Sequence, residues 1–173
     1  WRHYLWSVGL KWNAGDFYDL FGPIKRSREG YSGFVAYERP LLYDPPETLS
    51  LVSKVAYFGN LDALPGFQNV ESPTDKLGEA QVGLVYKHPR GSAGKVDDET
   101  GHAWTVLAHA YEAEGEITPA VLGSFDVGWP LRLPHSSVWL RTGAGVASGD
   151  EEDPLANTYF GGFGNNYVDN GEP

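Results

Sequence analysis

The sequence predicts an all-β fold, and three observations predict it. Apolar residues alternate with polar or small residues in runs along most of the chain, as in half-buried strands. Almost no stretch shows the three-to-four-residue apolar spacing of a helix. The connections between runs are rich in Pro, Gly, Asp and Asn, which break strands. We therefore expect antiparallel strands that follow one another in chain order.

The first run, "HYLWSVGLKW", shows the alternation most clearly. One set of alternate residues is apolar and aromatic, and the other set is smaller and more polar. The apolar residues are Tyr4, Trp6, Val8, Leu10 and Trp12, and those between them are His3, Leu5, Ser7, Gly9 and Lys11.

Six further runs have the same character, the fourth of them less cleanly than the others. They are "GYSGFVAYERPL", "TLSLVSKVAYFG", "EAQVGLVYK", "HAWTVLAHAY", "AVLGSFDVGWPL" and "SVWLRTGAGVAS". A last run, "NTYFGGFGNNYV", is too glycine-rich for its faces to be assigned. The pattern predicts about eight strands, each roughly as long as the 9 to 11 residues that a tilted membrane strand requires.

The connections partly follow the pattern of outer-membrane barrels, in which long outer loops alternate with short inner turns. The first three run long, short, long: "NAGDFYDLFGPIKRSRE", "YDPPET" and "NLDALPGFQNVESPTDK". The fourth, "HPRGSAGKVDDETG", is long, and the fifth, "EGE", is very short. Either one inner turn is enlarged or the true number of strands differs by one from the predicted number.

Composition limits the classes of function. The length of 173 residues predicts one domain, residues 1–173, with no linker or internal repeat. A net charge of -10 argues against nucleic acid as a partner. The chain has no cysteine, so disulfides and thiolate chemistry are excluded. No apolar run approaches the ~20 residues of a transmembrane helix. The chain begins within a strand-like pattern, so we expect a processed chain or a piece of a longer one.

The composition of the two faces distinguishes two kinds of β structure. A water-facing sheet surface carries many Lys, Glu and Thr residues, but here the less apolar positions are mostly Gly, Ser and Ala with about one charge per strand. Small residues and charges of both signs suit a narrow barrel interior. We therefore expect an antiparallel up-and-down transmembrane β-barrel of about eight strands, or part of a larger barrel.

This interpretation assigns residues to two sets. The charged set, expected to face the lumen, is Lys11, Glu38, Lys54, Glu79, Lys87, Asp126 and Arg141. The apolar set, expected to face the membrane, is Tyr4, Trp6, Val8, Leu10, Trp12, Leu51, Val55, Tyr57, Val82, Leu84, Tyr86, Trp104, Val121, Phe125, Val127, Trp129, Val138 and Leu140.

Two segments resemble a known family. "NAGDFYDLFGPIKRSREGYS" and "VWLRTGAGVASGDEEDPLANTYFGGFGNNYVDNGEP", with the strands between them, are similar to the outer-membrane barrel region of the bacterial surface-antigen superfamily. More narrowly, they resemble the C-terminal barrel of large proteins with TolB-like propeller repeats. The resemblance implies an integral protein of the Gram-negative outer membrane, and it transfers no catalytic residue. In such proteins further strands follow the last string, so a part of a larger barrel stays open as an alternative to a barrel of about eight strands.

The sequence contains no strong motif for chemistry. The five His residues lack zinc-ligand spacing, and the acidic stretches Asp97–Glu99 and Asp150–Asp153 do not match a calcium loop, so we expect no metal and no cofactor. Asp126, His135 and Ser136 remain a formal catalytic combination, although adjacency in sequence says nothing about a triad.

We expect a non-enzymatic anchor, scaffold or narrow, porin-like pore in the outer membrane. Its partners are the lipid bilayer and lipopolysaccharide, together with other segments or subunits that complete a larger barrel or complex. Two alternatives stay open. One is a soluble all-β module, lipocalin-like or a sandwich, that binds a small apolar ligand or a glycan. The other is an outer-membrane barrel enzyme.

Overall fold

The computed structural model describes residues 4–14, 30–61, 74–92, 94, 98–149 and 155–156. Seven strands account for most of these residues. The alternating runs give each strand one apolar face and one polar face. The strands are β1 (Leu5–Ala14), β2 (Gly30–Asp44), β3 (Glu47–Gly59), β4 (Leu77–Arg90), β5 (Thr100–Ala113), β6 (Glu116–Pro130) and β7 (Ser137–Ala147).

The strands form one sheet in the order β1-β2-β3-β4-β5-β6-β7, and every neighbouring pair is antiparallel. The predicted all-β antiparallel meander is therefore confirmed. Among the described residues the sheet is open, since β1 and β7 are its edges and do not pair with each other. The described strands number seven, whereas about eight were predicted. The remaining run, residues 157–168, lies outside the described residues.

The connections lie at two ends of the sheet. The turn 45–46, the loop 91–99 and the loop 131–136 are at one end, which we call the near end. β1, β3, β5 and β7 finish at the opposite end of the sheet, which we call the far end. The meander keeps its order through the long loop 91–99, so the irregular loop pattern reflects an enlarged near-end connection.

Successive strands are staggered. The row of paired residues that begins at Ala147, the last residue of β7, reaches Ser7, near the first residue of β1. The intermediate residues of this row are Ala120, His109, Gln81, Lys54 and Ala36. The midpoints of β1 and β7 are thus offset along the strand direction by most of a strand length. This offset is about one and a quarter residues for each step from one strand to the next. At ~3.4 Å per residue and ~4.8 Å between strands, this stagger corresponds to a strand tilt of about 40°.

The described residues hold only a small buried core. Leu61 and Leu77 are fully buried at the far end, and they pack against Phe58, Tyr111 and Leu155. Most other large apolar side chains of the sheet remain exposed or half-buried. Within the described ranges, no helix has the length and apolar character needed to cross a membrane.

Candidate functional site

The strand pairing brings the whole apolar set onto one face of the sheet, which we call the apolar face. Directly paired residues project to the same side. The row Val8, Val35, Val55 and Ala80 crosses four strands on this face. On the other half of the sheet, the row Tyr86, Trp104, Phe125 and Thr142 does the same. Each remaining member of the apolar set is separated from one of these rows by an even number of residues along its strand.

The charged set lies on the opposite face, which we call the polar face. Lys54 immediately precedes Val55 in β3, so its side chain projects to the other side. The same parity holds for Lys11 in β1, Glu38 in β2 and Glu79 in β4. It also holds for the remaining members, Lys87, Asp126 and Arg141.

Exposure is inverted relative to a water-soluble sheet. Val55 on the apolar face is 63% exposed, whereas its neighbour Ala56 on the polar face is 4% exposed. Leu10 reaches 85%. In contrast, the side chains of Lys54 and Glu79 are only 29% and 12% exposed. The polar face is therefore the more enclosed of the two, although water-soluble proteins bury the apolar face.

Two cavities open largely on the polar face. A cavity of about 620 Å³ lies at its near end, lined by residues that include Lys87, Asp126, Trp139 and Arg141. A second cavity of about 410 Å³ lies over β1 to β5 and includes Lys54 in its lining. The charged side chains at these cavities differ in enclosure, since the Arg141 side chain in the first cavity is 65% exposed and the Lys54 side chain in the second is 29% exposed.

Aromatic rings cluster at both ends of the apolar face. At the far end, Trp12 stacks on Tyr31 with 5.3 Å between ring centroids, and Tyr31 lies 6.4 Å from Tyr57. At the near end, Tyr86 stacks on Trp104 at 5.5 Å. Four of these five rings, all except Tyr31, belong to the apolar set that the sequence defines.

Sequence reasoning missed several polar groups on the apolar face. The guanidinium carbon of Arg39 lies 5.7 Å from the centroid of the Tyr4 ring. The Tyr86 hydroxyl donates a 2.9 Å hydrogen bond to Glu47 Oε1. His88 and His102 lie beside each other close to the near end. The alternation that places Val35 and Tyr37 on the apolar face also predicts Arg39 there, so the signal was present.

Two ion pairs join members of the charged set across neighbouring strands. Lys54 Nζ lies 3.3 Å from Glu79 Oε2, and Arg141 Nε lies 4.0 Å from Asp126 Oδ2. The first pair links β3 to β4, and the second links directly paired residues of β6 and β7. Opposite charges meeting this way lower the cost of enclosing them.

Glycines on the polar face make room for large side chains of the next strand. A Cβ at Gly128 would lie 2.5 Å from Trp139 Cε2, so the indole ring occupies that space. The Phe34 ring covers Gly9 in the same way, and the Leu107 side chain covers Gly83. The abundance of small residues on this face therefore reflects packing between strands.

His109 is a polar residue enclosed on this face. Both ring nitrogens are buried, and neither has a hydrogen-bond partner among the described residues. The ring stacks on Tyr111 at a centroid distance of 6.1 Å. Sequence analysis did not distinguish His109 from the other four histidines, because its enclosure depends on the neighbouring strands.

A small polar cluster joins the two longer loops of the near end. Glu99 Oε1 lies 2.7 Å from His135 Nδ1, and Glu99 Oε2 accepts a 2.9 Å hydrogen bond from the Ser92 backbone N–H. The Ser92 hydroxyl also donates to Glu99, at 2.9 Å. The backbone hydrogen bond from Ser92, followed by the His135 side-chain hydrogen bond, lowers the pKa of Glu99 below its ordinary value.

The cluster is not a catalytic triad, since the serine hydroxyl donates to the carboxylate and the histidine uses one nitrogen for both contacts. The formal combination from the sequence is not assembled either. Ser136 Oγ donates to the Pro134 carbonyl, His135 contacts Glu99, and Asp126 pairs with Arg141.

The acidic stretches give no metal site in the described part of the chain. Residues 97 and 150–153 lie outside it. No group of three or more His, Asp or Glu side chains in that part is arranged to hold a metal ion.

The chain matches no protein-family model, no curated protein and no solved structure. Support for a function therefore comes from the two faces of the sheet and from its stagger.

Proposed function

We propose that this chain is the β-barrel region of a bacterial outer-membrane protein and that it acts as a membrane anchor or scaffold. Its apolar face would contact lipid, and its polar face would surround a narrow lumen. The observation that carries the proposal is the inverted exposure, in which Val55 is 63% exposed beside Ala56 at 4%. A continuous exposed apolar face is unfavourable in water and favourable against acyl chains.

The stagger supports the same proposal. A tilt of about 40° lies within the range of strands in membrane barrels. The strands have 10 to 15 residues. At ~3.4 Å per residue and this tilt, even the shortest would cross an apolar band of about 25 Å.

The aromatic clusters and polar groups at the ends of the apolar face suit the two membrane interfaces. Tyr and Trp are enriched at headgroup level, and long cations such as Arg39 can extend from an apolar surface toward water. The exposed Trp12 and the Tyr86–Trp104 stack lie toward opposite ends of the strands. They correspond to the girdles of a membrane barrel.

The packing of the polar face favours an anchor over a wide channel. The Phe34, Leu107 and Trp139 side chains cover glycines of neighbouring strands, and the Lys54–Glu79 pair occupies the same surface. An interior of about eight strands is just wide enough for side chains to fill.

Two adjacent single-cysteine variants test the proposal, because the chain has no native cysteine. Val55→Cys and Ala56→Cys lie on opposite faces of β3. Each is labelled with a nitroxide in the full chain inserted into phospholipid vesicles. We expect the label at 55 to be relaxed by oxygen, which concentrates in lipid, and the label at 56 to be shielded from it.

Two results would contradict the proposal. One is a label at 55 that is relaxed more by a water-soluble nickel complex than by oxygen. The other is a chain that folds as a monomer in buffer without lipid or detergent, which would favour the soluble binding module.

A further inference from the structure

Basic side chains gather at the near end of the apolar face. His88 pairs directly with His102, and both project from this face. Arg90 follows His88 by two residues in β4, so it lies on the same side. Arg90 Nε donates a 3.2 Å hydrogen bond to His88 Nε2, and the rings of His88 and His102 lie 5.4 Å apart. The three side chains therefore form one cluster.

Two carboxylates lie beside this basic cluster on the same face. Thr48 of β3 pairs with Lys87 of β4, and Glu47 and His88 are the next residues outward on the two strands. Asp44 pairs with Glu47 across the turn 45–46. Both carboxylates therefore project from the apolar face on strands next to the basic cluster.

The opposite charges at this end do not neutralise each other. The Arg90 guanidinium is hydrogen-bonded to His88, and Glu47 Oε1 accepts a 2.9 Å hydrogen bond from the Tyr86 hydroxyl. Within the described residues, no ion pair joins Arg90 to Asp44 or to Glu47. Arg90 and Asp44 are also exposed. A ligand that carries both signs of charge could therefore meet both groups.

The height of the cluster corresponds to a membrane interface. His102 and Glu112 are the ionisable residues of β5 on the apolar face, and the residues between them on this face are apolar. At ~3.4 Å per residue and a tilt of about 40°, they are separated by about 26 Å across a bilayer. The apolar band of a membrane barrel is about 25 Å tall. The basic cluster therefore lies at headgroup level.

We propose that the near end of the apolar face binds a membrane lipid whose headgroup joins a phosphodiester to a primary ammonium, as in phosphatidylethanolamine. Arg90 donates to the phosphate oxygens, because the fork of a guanidinium matches a phosphate. Glu47 and Asp44 accept hydrogen bonds from the ammonium. This inference rests on the proposed function and deepens it by naming the lipid.

The arrangement of charges favours this headgroup over two others. A headgroup with a phosphate and no ammonium would bring an uncompensated anion beside Glu47 and Asp44. The trimethylated ammonium of phosphatidylcholine has no N–H to donate. The net charge of -10 also disfavours anionic lipids. In phosphatidylethanolamine, an ethylene linker keeps the two charged groups close together, as the neighbouring strands do here.

Local quenching by labelled lipids tests the site in the full chain, which has no native cysteine. Val127→Cys carries a fluorophore beside the cluster, because Val127 pairs directly with His102. Ile117→Cys carries it at the far end of the same face, as the matched control. Each labelled chain is inserted into phosphatidylcholine vesicles that contain a small fraction of one spin-labelled lipid. That lipid is phosphatidylethanolamine, phosphatidylcholine, phosphatidylglycerol or diacylglycerol, always with the same nitroxide-bearing acyl chain.

We expect phosphatidylethanolamine to be enriched at the label on 127 roughly two- to tenfold over phosphatidylcholine, as one additional hydrogen bond would give. At 117 the two lipids should quench equally. Glu47→Gln keeps an acceptor for the Tyr86 hydroxyl but removes the charge, so it should abolish the enrichment. Arg90→Gln should lower quenching by phosphatidylethanolamine toward that by diacylglycerol, which has no phosphate.

Two further variants are controls for charge. Glu112→Gln removes a carboxylate from the far end of the apolar face, and Lys87→Gln removes a cation from the polar face of β4. Neither should change the enrichment at 127.

Four results would overturn the lipid site. They are equal quenching by phosphatidylethanolamine and phosphatidylcholine at 127, an equal enrichment at 117, an enrichment that survives Glu47→Gln, and a preference for phosphatidylglycerol. Displacement of the labelled lipid by an equal concentration of water-soluble glycerophosphoethanolamine would assign the cluster to a soluble ligand and also overturn it.

The nitroxide measurement at residue 55 separates the two proposals. A chain that keeps a lipid-exposed label at 55 without the enrichment at 127 overturns the lipid site alone. Loss of lipid exposure at 55 overturns the proposed function.

Discussion

Lys54 Nζ lies 3.3 Å from Glu79 Oε2 on the enclosed face of the sheet, while Val55, the next residue along β3, projects into the exposed environment on the other side. This relationship reverses the usual arrangement of a soluble sheet. The charges are partly enclosed and paired, and the apolar side chain is not. It follows that the stability of the sheet depends on charge pairing on the polar face and on the solvent that surrounds the apolar face.

The Lys54–Glu79 pair gives the first prediction. Lys54→Met leaves the Glu79 carboxylate enclosed without its partner, and we expect a loss of about 2–3 kcal/mol in unfolding free energy. The double variant Lys54→Met, Glu79→Met removes both charges and should recover much of that loss. Urea unfolding in phospholipid vesicles measures both. Equal stability of the single and double variants would show that the pair is not coupled.

The apolar face gives the second prediction. Val82→Arg places a cation near the middle of β4 on this face, and we expect it to cost about 2–4 kcal/mol if lipid surrounds the strand. Ile117→Arg is the matched control, because Ile117 lies on the same face one residue from the start of β6 and should cost at most about 1 kcal/mol. The same vesicle assay measures them. In a soluble protein both substitutions would be nearly neutral, since both sites are exposed.

The strands and their faces could be predicted from the sequence because alternation is a local property. Val55 and Lys54 differ in parity whatever the rest of the chain does, so the sequence alone assigns them to opposite faces of β3 without knowledge of strand pairing. For the same reason, the first run divides cleanly into one apolar face and one polar face. Strand number and closure depend on residues distant in sequence, and the glycine-rich segment 157–168 carries too little alternation to fix its faces.

The less regular features depend on contacts between strands. β5 alternates poorly because Leu107 lies on the polar face, where it covers Gly83 of β4. That complementarity cannot be deduced from either strand alone. The enclosure of His109 and the contact between Glu99 and His135 also join separate parts of the chain.

The glycine–tryptophan contact gives the third prediction. Gly128→Ala forces the Trp139 ring to move, because a Cβ there would lie 2.5 Å from the ring, and we expect a loss of about 1–3 kcal/mol. Gly123→Ala in the same strand is the control. Its Cβ would have no neighbour closer than 3.8 Å, so this variant should be neutral or slightly stabilised. Urea unfolding compares them, and equal losses would show that backbone effects of glycine dominate over packing.

The unpartnered imidazole of His109 gives the fourth prediction. His109→Leu replaces two buried nitrogens that have no partner among the described residues with an apolar side chain, and we expect a gain of about 1–2 kcal/mol. His102→Leu is the comparison, because His102 lies on the apolar face beside the Tyr86 ring at 5.4 Å and belongs to an aromatic cluster. Thermal unfolding in detergent micelles measures both. A loss of stability in His109→Leu would indicate that the imidazole makes a polar contact needed by the fold.

The Glu99 cluster at the near end gives the fifth prediction, a pH dependence of the contact between the loops 91–99 and 131–136. The pKa of Glu99 is lowered in the folded state by hydrogen bonds from Ser92 and His135. The contact is therefore fully present above the ordinary pKa of a glutamate and is lost as the pH falls through the lowered folded-state value. The NMR shift of the Ser92 amide, which donates to Glu99 at 2.9 Å, reports the titration directly. Glu99→Gln should abolish this acid titration, and Asp98→Asn should keep it. A Ser92 amide shift that titrates unchanged in Glu99→Gln would show that another group controls the loop contact.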